Sequence, residues 1–118
     1  MDKRQRELLE TAGVNVDEVL GRFLNNEALA MKFLCRLPED ENFTKLRQAM
    51  DRQDAESAFE AAHTLKGVCG NLSIQALFRQ MGALVEDLRA GDLAAAAGKM
   101  PPLEEEYARV LGILRQLT

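Results

Sequence analysis

The residues best suited to chemistry in this sequence lie in one segment, residues 61–72, which contains its only histidine, His63. On an ideal helix, with about 100° between successive residues, the apolar residues of this region form a single stripe. That stripe consists of Ala58, Ala61, Leu65, Cys69 and Leu72. His63 falls on the opposite side, so we expect its imidazole to face solvent. A neutral imidazole is a nucleophile, and an exposed one is partly neutral at pH 7.

Lys66 and two glycines, Gly67 and Gly70, fall on the same side of this helix as His63. Residues three apart are neighbours on a helix surface, and the Lys66 ammonium is a mobile point charge suited to a phosphoryl group. Glycine inside a helix lowers helix stability by about 1 kcal/mol relative to alanine. Two glycines beside a histidine therefore indicate a functional requirement. They would leave a strip of bare backbone along which a tetrahedral group or a second macromolecule could approach. The four residues together describe a phosphoryl acceptor that a partner must reach.

Each of these residues also has a plainer interpretation. A lone surface histidine is most often without a role, a lone lysine is a solvated charge, and Gly67 and Gly70 could mark a fraying helix end. Phe59 lies about one turn before His63 on nearly the same face. It is either an exposed apolar contact for a docking partner or a partly buried edge of the core. The residues alone leave both interpretations open.

The composition indicates that a helical scaffold carries this segment. The chain has 118 residues, 47% of them hydrophobic and 29% charged, which suits a single domain with its own core. Alanine and leucine are abundant and β-branched residues are few, a balance that favours helices over strands. These proportions exclude a β-sandwich or β-barrel.

Capping residues divide the chain into helices. Gly13 ends a charged helix over residues 3–12, and Asn15 begins a second short helix. Asn26 begins a third helix, which Pro38 stops.

The rest of the chain is expected to form four longer helices. The first covers residues 43–50. Asp54 caps the helix that contains His63, Ser73 caps the next one, and Asp92 opens the last.

Apolar residues at three- and four-residue spacing predict which face of each helix is buried. In the third helix that face comprises Leu29, Ala30, Phe33, Leu34 and Leu37. In the helix after Ser73 it comprises Ile74, Leu77, Phe78, Met81, Leu84, Val85 and Leu88. The last segment keeps one rhythm across Pro101 and Pro102, which predicts a single helix bent at the prolines or two collinear pieces.

Four amphipathic stretches joined by short turns predict an all-α fold, an antiparallel up-down four-helix bundle with short N-terminal helices. We expect one domain over residues 1–118. Residues 1–14 form an N-terminal helix that is either loosely attached or packed on the bundle.

The segment from Ala62 to Gly67, AHTLKG, resembles the signature of histidine-containing phosphotransfer (HPt) domains, whose core is His-x-x-Lys-Gly. The resemblance is specific over residues 55–90 and architectural over the rest. It implies that His63 accepts a phosphoryl group on Nε2, that Lys66 stabilises its charge and that Gly67 leaves room for it. Such domains often carry a polar residue, commonly glutamine, on the facing helix. That region is residues 81–85 here, with Gln80 nearby, and the sequence assigns the role to none of them.

The resemblance implies a phosphoryl shuttle rather than an enzyme. Such domains take the group from a receiver aspartyl phosphate or from a histidine kinase, hybrid kinases included, and pass it to a response-regulator receiver aspartate. The receiver supplies Mg²⁺, so the carrier is expected to need no cofactor and no metal. The sequence contains no Walker-type phosphate loop and no paired acidic metal site, which agrees with a chain that has no ATP site of its own. Partner docking is expected around His63, at Phe59 and Gly70.

Charge and cysteine content restrict the partners and the location. A net charge of −4 and a pI near 5.0 argue against nucleic acid as a partner. The longest apolar run, Leu93 to Ala97, is far shorter than the roughly 20 residues that cross a bilayer. We therefore expect no membrane partner, a cytoplasmic location and a monomer. Cys35 and Cys69 are expected to be buried free thiols, and one histidine with two cysteines does not suit a zinc site.

Three alternatives remain open. Within the same fold, the chain could be the P1-type substrate domain of a chemotaxis-like histidine kinase, phosphorylated directly by a kinase catalytic domain. From another class, it could be a helical protein-interaction module in which His63 is incidental. The most distant alternative is a redox switch through Cys35 and Cys69. Equal melting temperatures with and without reductant would exclude it.

Overall fold

A computed structural model describes residues 1–117, and this part of the chain is helical without strands. The α-helices are α1 (Lys3–Thr11), α2 (Val16–Arg22), α3 (Glu27–Arg36), α4 (Asn42–Asp51), α5 (Ala55–Asn71), α6 (Gln75–Arg89) and α7 (Leu93–Leu114). Short 3-10 turns, Leu37–Glu39 and Arg115–Leu117, follow α3 and α7. The all-α class expected from the composition is confirmed.

The longer helices pack in chain order, α4 on α5, α5 on α6 and α6 on α7. A stacked ring pair joins the first of them to the last: Phe43 of α4 and Tyr107 of α7 have ring centroids 4.2 Å apart and nearly parallel planes. Leu46, Leu65 and Leu84, from α4, α5 and α6, are fully buried in the core between these helices. Burial of such leucines, each contributing about 1.5–3 kcal/mol, holds the helices together.

Four of the five predicted helix starts are confirmed, and at the last of them the Asp92 side chain accepts a hydrogen bond from the Ala95 backbone N–H. Asn15, Asn26 and Asp54 each accept a hydrogen bond from a backbone N–H in the first turn of α2, α3 and α5. The prediction for Ser73 is wrong, because the cap of α6 is Ile74 and no side chain caps that helix. Ser73 is buried in the preceding turn with φ +55°, and its hydroxyl bonds residues of α2 instead.

The last helix runs without interruption through its two prolines, so α7 is a single element. Pro101 and Pro102 are exposed, whereas Met100 and Leu103 beside them are buried. The prolines remove two N–H donors on the side that faces water, where solvent can bond the freed carbonyls. The apolar residues at three- and four-residue spacing therefore predict α7 correctly as one helix, although prolines usually interrupt helices.

Three residues of the predicted apolar stripes are not in the core. Leu29, Phe33 and Phe78 have exposed fractions of 38%, 40% and 37%, whereas the other members of their stripes are buried. Each lies at the margin of its helix's buried face, and apolarity by itself does not distinguish a core position from a surface one.

The N-terminal helices pack on the rest of the molecule. Leu9 of α1 is fully buried, and α1 packs on α7. Arg4 donates a hydrogen bond to the carbonyl of Gln116, and Arg109 donates one to the carbonyl of Thr11.

Candidate functional site

Helix α5 turns His63 outward because its opposite face is in the core. The predicted stripe of Ala58, Ala61, Leu65, Cys69 and Leu72 is buried throughout, and Ala62 is buried as well. His63 is exposed, as expected. With the cap at Asp54 and the buried residues fixing the rotation of α5, the imidazole is presented to solvent from a rigid element.

Phe59 lies against the imidazole one turn earlier on α5. The two ring centroids are 5.6 Å apart with an angle of 28° between the planes. The guanidinium of Arg89, at the end of α6, lies over the same phenyl ring at 5.1 Å from its centroid. Phe59 is half-buried and packs against the core. It therefore lies at the edge of the core and also contacts the His63 ring.

Lys66 is held by two residues of α6, the facing helix. Its Nζ lies 5.6 Å from the centre of the Phe78 ring, a cation–π contact. A Cβ atom built on Gly82 would lie 3.6 Å from Lys66 Cε, so the missing side chain at this position leaves the lysine its space. No carboxylate of residues 1–117 forms an ion pair with Lys66, and its positive charge is free to meet an anion.

The two glycines beside His63 differ in their surroundings. A Cβ atom on Gly67 would meet no heavy atom within 4 Å, so the backbone there is open to an approaching group. A Cβ atom on Gly70 would come within 3.2 Å and 3.3 Å of two ring carbons of Phe78. The expected strip of bare backbone is therefore present at Gly67 and covered by Phe78 at Gly70.

His63, Lys66 and the two glycines line one shallow surface concavity of about 340 Å³. It is lined by Arg22, His63, Lys66, Gly67, Gly70, Asn71 and Phe78. The sequence predicts four of these residues, His63, Lys66, Gly67 and Gly70, and does not indicate the other three. Asn71 lies two turns after His63, on a part of α5 read only as the helix end. Phe78 and Arg22 belong to other helices, which the spacing along α5 could not reveal.

The facing helix contributes no polar side chain to this concavity. Gln80 does not line it, and its Oε1 atom is buried without a hydrogen-bond partner among residues 1–117. Gln80 is two residues from both Phe78 and Gly82, which places it about 200° around α6 from the residues that face Lys66.

A larger groove of about 680 Å³ adjoins the concavity and shares Arg22 and Asn71 with it. Phe23, the residue after α2, and Phe33 of α3 stack in this groove with ring centroids 5.4 Å apart. One apolar surface, at Phe59, therefore lies against the imidazole, and a second, at the Phe23–Phe33 pair, lies in the groove that adjoins the concavity.

The two thiols are not paired with each other. Cys69 is buried, and burial, with a smaller contribution from Asp40, raises its pKa to about 12. Cys35 is half-buried rather than buried as expected, and burial raises its pKa too. Both are free, as predicted. Within residues 1–117 no cluster of three His, Cys, Asp or Glu side chains has the arrangement of metal ligands.

Comparison with known families agrees with this geometry. The model of the Hpt domain matches residues 33–113, most of the chain, including all of α4 to α6 and His63, Lys66 and Gly67. The chain belongs to the Hpt domain family. Hpt domains are phosphotransfer modules of two-component signalling that interact with receiver domains and histidine kinases and have no catalytic activity of their own. No curated protein and no solved structure matches the chain.

The region matched by the family begins inside α3, so α1 and α2 precede it. Arg22 therefore lies outside the matched region, although it lines the same concavity as His63. None of the helices described over residues 1–117 has both the length and the apolarity needed to cross a membrane.

Proposed function

We propose that this Hpt domain is a phosphorelay phosphocarrier in which His63 is the phosphoacceptor. The observation that carries the proposal is the conjunction at one exposed point of α5: an outward imidazole, a Lys66 ammonium that forms no ion pair with residues 1–117, and open backbone at Gly67. A bulky group with between one and two negative charges would be accommodated there without displacing any side chain of the core.

In the proposed transfer, Nε2 of His63 attacks the phosphorus of a receiver aspartyl phosphate. A P–N bond forms while the P–O bond to the aspartate breaks, and its electron pair stays on the released carboxylate. The ring keeps its Nδ1 proton as it becomes cationic, and that proton can then be lost to solvent. Transfer to the next receiver aspartate reverses these steps. Because the phosphoryl oxygens carry negative charge throughout, Lys66 stabilises both the transition state and the product.

The partner supplies what this chain lacks. We infer that a receiver domain brings the Mg²⁺ for the transfer, and that the carrier holds no cofactor and no ATP site. The donor is either a receiver aspartyl phosphate or a histidine kinase, which can be a hybrid kinase. For the kinase route, the same Nε2 atom would attack a phosphoryl group that the kinase delivers.

Docking would use the apolar surfaces at Phe59 and in the groove that adjoins the concavity. Phe59 and the groove with Phe33 offer apolar area next to a small polar centre, the arrangement that gives interfaces their affinity. Gly70 allows the Phe78 ring to lie close to α5 and so keeps that side of His63 flat. We propose that the chain acts as one monomeric domain, in which α4 to α7 form the up-down four-helix bundle.

The direct test is transfer of radiolabelled phosphoryl from phosphorylated receiver domains to wild type and to His63→Gln. The wild type should become labelled, the label should be acid-labile and alkali-stable, and His63→Gln should stay unlabelled. Thr64→Ala, which changes the exposed neighbour of His63, is the matched control and should be labelled normally.

The alternatives give different results in the same assay. Label from a kinase catalytic domain but from no receiver would indicate the P1-type substrate domain. No label from a panel of receivers and kinases, with intact folding, would contradict the proposal and leave a helical interaction module with an incidental His63.

A further inference from the structure

The second helix brings an arginine to the proposed phosphoryl site. Arg22 is the last residue of α2, and its side chain lines the concavity that also contains His63, Lys66 and Gly67. Its side chain is 47% exposed, so the guanidinium is accessible to a ligand in that concavity.

Backbone hydrogen bonds fix the start of α2 to the turn between α5 and α6. Val14 and Ile74 form an isolated antiparallel bridge. In it the Asn15 N–H donates to the Ser73 carbonyl at 2.9 Å, and the Gln75 N–H donates to the Gly13 carbonyl at 3.1 Å. Because these bonds set the position of α2 relative to the end of α5, the arginine lies beside the site as a consequence of the fold.

A small polar cluster then orients the arginine itself. Arg22 donates through Nε to the Ser73 hydroxyl and through Nη2 to Glu18 Oε1, both at 3.2 Å. The Ser73 hydroxyl in turn donates to the same Glu18 oxygen at 2.9 Å. The Ser73 hydroxyl and then Arg22 lower the pKa of Glu18, which keeps that carboxylate ionised. A guanidinium has five N–H donors, and these bonds leave three of them for an anion.

We propose, resting on the phosphoacceptor role of His63, that Arg22 is a second cation for the phosphoryl group on that residue. A phosphoryl group carries between one and two negative charges near neutral pH, and the Lys66 ammonium supplies one positive charge. The facing helix α6 contributes only Phe78 to the lining, with no polar side chain. The second positive charge therefore comes from α2, outside the region that the family model matches.

The test separates stabilisation of the phosphorylated state from partner docking. Label is allowed to distribute between the carrier and one slowly hydrolysing receiver domain until the ratio is constant. A residue that acts only in the docked complex changes both transfer rates equally and leaves this equilibrium constant unchanged. A residue that stabilises the phosphohistidine of the free carrier changes the equilibrium constant itself.

We expect Arg22→Met to shift the equilibrium away from the carrier by about two- to fivefold, the range of a partly exposed charge interaction. Arg22→Lys should retain most of the effect, and added salt should diminish it. The matched control is Arg6→Met, because Arg6 also makes an i,i+4 ion pair and is 43% exposed, but lies on α1 outside the concavity. Thermal melting would show that the variants remain folded.

Each other outcome overturns the inference. Equal loss of both transfer rates with an unchanged equilibrium constant would assign Arg22 to docking. An equal shift of the equilibrium constant in Arg6→Met would show that the effect comes from the net charge of the protein and not from the position of Arg22. Absence of label on the wild type would instead refute the phosphoacceptor role of His63, on which this inference depends.

Discussion

Gly82 of α6 lies directly beside the Lys66 side chain of α5: a Cβ atom on residue 82 would stand 3.6 Å from Lys66 Cε and 4.0 Å from Nζ. A methyl group fits at that distance as an ordinary van der Waals contact, whereas a longer side chain would occupy the space that the lysine uses. The Phe78 ring, 5.6 Å from Nζ, supports the ammonium from the same helix. The cation next to His63 is thus positioned by α6 as well as by its spacing on α5.

Substitutions at Gly82 test this relationship. Gly82→Ala should preserve phosphoryl transfer and raise the free energy of unfolding by up to about 1 kcal/mol, because alanine is the better helix residue. Gly82→Leu should remain folded but slow transfer, since Lys66 must move away from α6. Transfer rates and denaturant unfolding measure the two effects. Equal phosphoryl-transfer rates in the two variants would show that the space left by Gly82 does not position Lys66.

Gly67 provides a case in which stability and function oppose each other. A methyl group at this position meets no neighbour, so Gly67→Ala should stabilise the protein by up to about 1 kcal/mol through helix propensity alone. The same methyl group would stand beside the approaching phosphoryl group, and transfer should slow. Gly112→Ala is the matched control, because Gly112 is an open helical glycine of α7 outside the concavity. It should gain similar stability with unchanged transfer; slowing in both variants would refute the access role of Gly67.

Phe59 is expected to contribute to both folding and transfer. Phe59→Ala removes the ring that stacks on His63 and lies under Arg89, and it should slow transfer from a receiver while the helical fold remains. The lost packing of a half-buried ring should cost about 1–2 kcal/mol of unfolding free energy. Phe59→Leu restores most of the apolar volume without the ring. Normal transfer in both variants would remove Phe59 from the docking surface.

The two thiols should behave independently of each other. Because the pKa of Cys69 is raised to about 12 by burial, its thiol should resist alkylation until the protein unfolds, whereas Cys35 should react slowly in the native state. Melting curves with and without reductant should coincide. A native disulfide or a reductant-dependent melting temperature would contradict this and revive the redox switch.

The raised pKa of Cys69 also makes the free energy of unfolding depend on pH, and the direction of this dependence can be predicted. The folded protein holds the thiol proton while the unfolded chain releases it above about pH 8.5, so this contribution is complete below that pH. It is lost progressively as the pH rises toward 12. Denaturant unfolding of wild type and Cys69→Ala between pH 7 and about 10 should show a shallower decline for the variant. Parallel declines would contradict burial of the thiol.

Much of the scaffold could be predicted because local signals and burial agreed. The caps at Asn15, Asn26 and Asp54 and the stripe opposite His63 required only neighbouring residues. Phe78 was assigned to the core because an apolar residue in phase with a stripe normally belongs there, although here its ring supports Lys66.

The other residues of the site depend on contacts between helices, which one helix's periodicity does not encode. Ser73 looked like a cap because its type suits one, but its hydroxyl bonds Glu18 and Arg22 across the turn. Arg22 is distant from His63 in the sequence and reaches the concavity only through the packing of α2.

The short antiparallel bridge between Val14 and Ile74 bears on how this module could be transplanted. A fragment limited to the matched residues 33–113 would leave the apolar surface under Leu9 and Val19 uncovered and would lack Arg22. Chimeric relays built by exchanging domains should therefore take the first 32 residues together with the helices that follow.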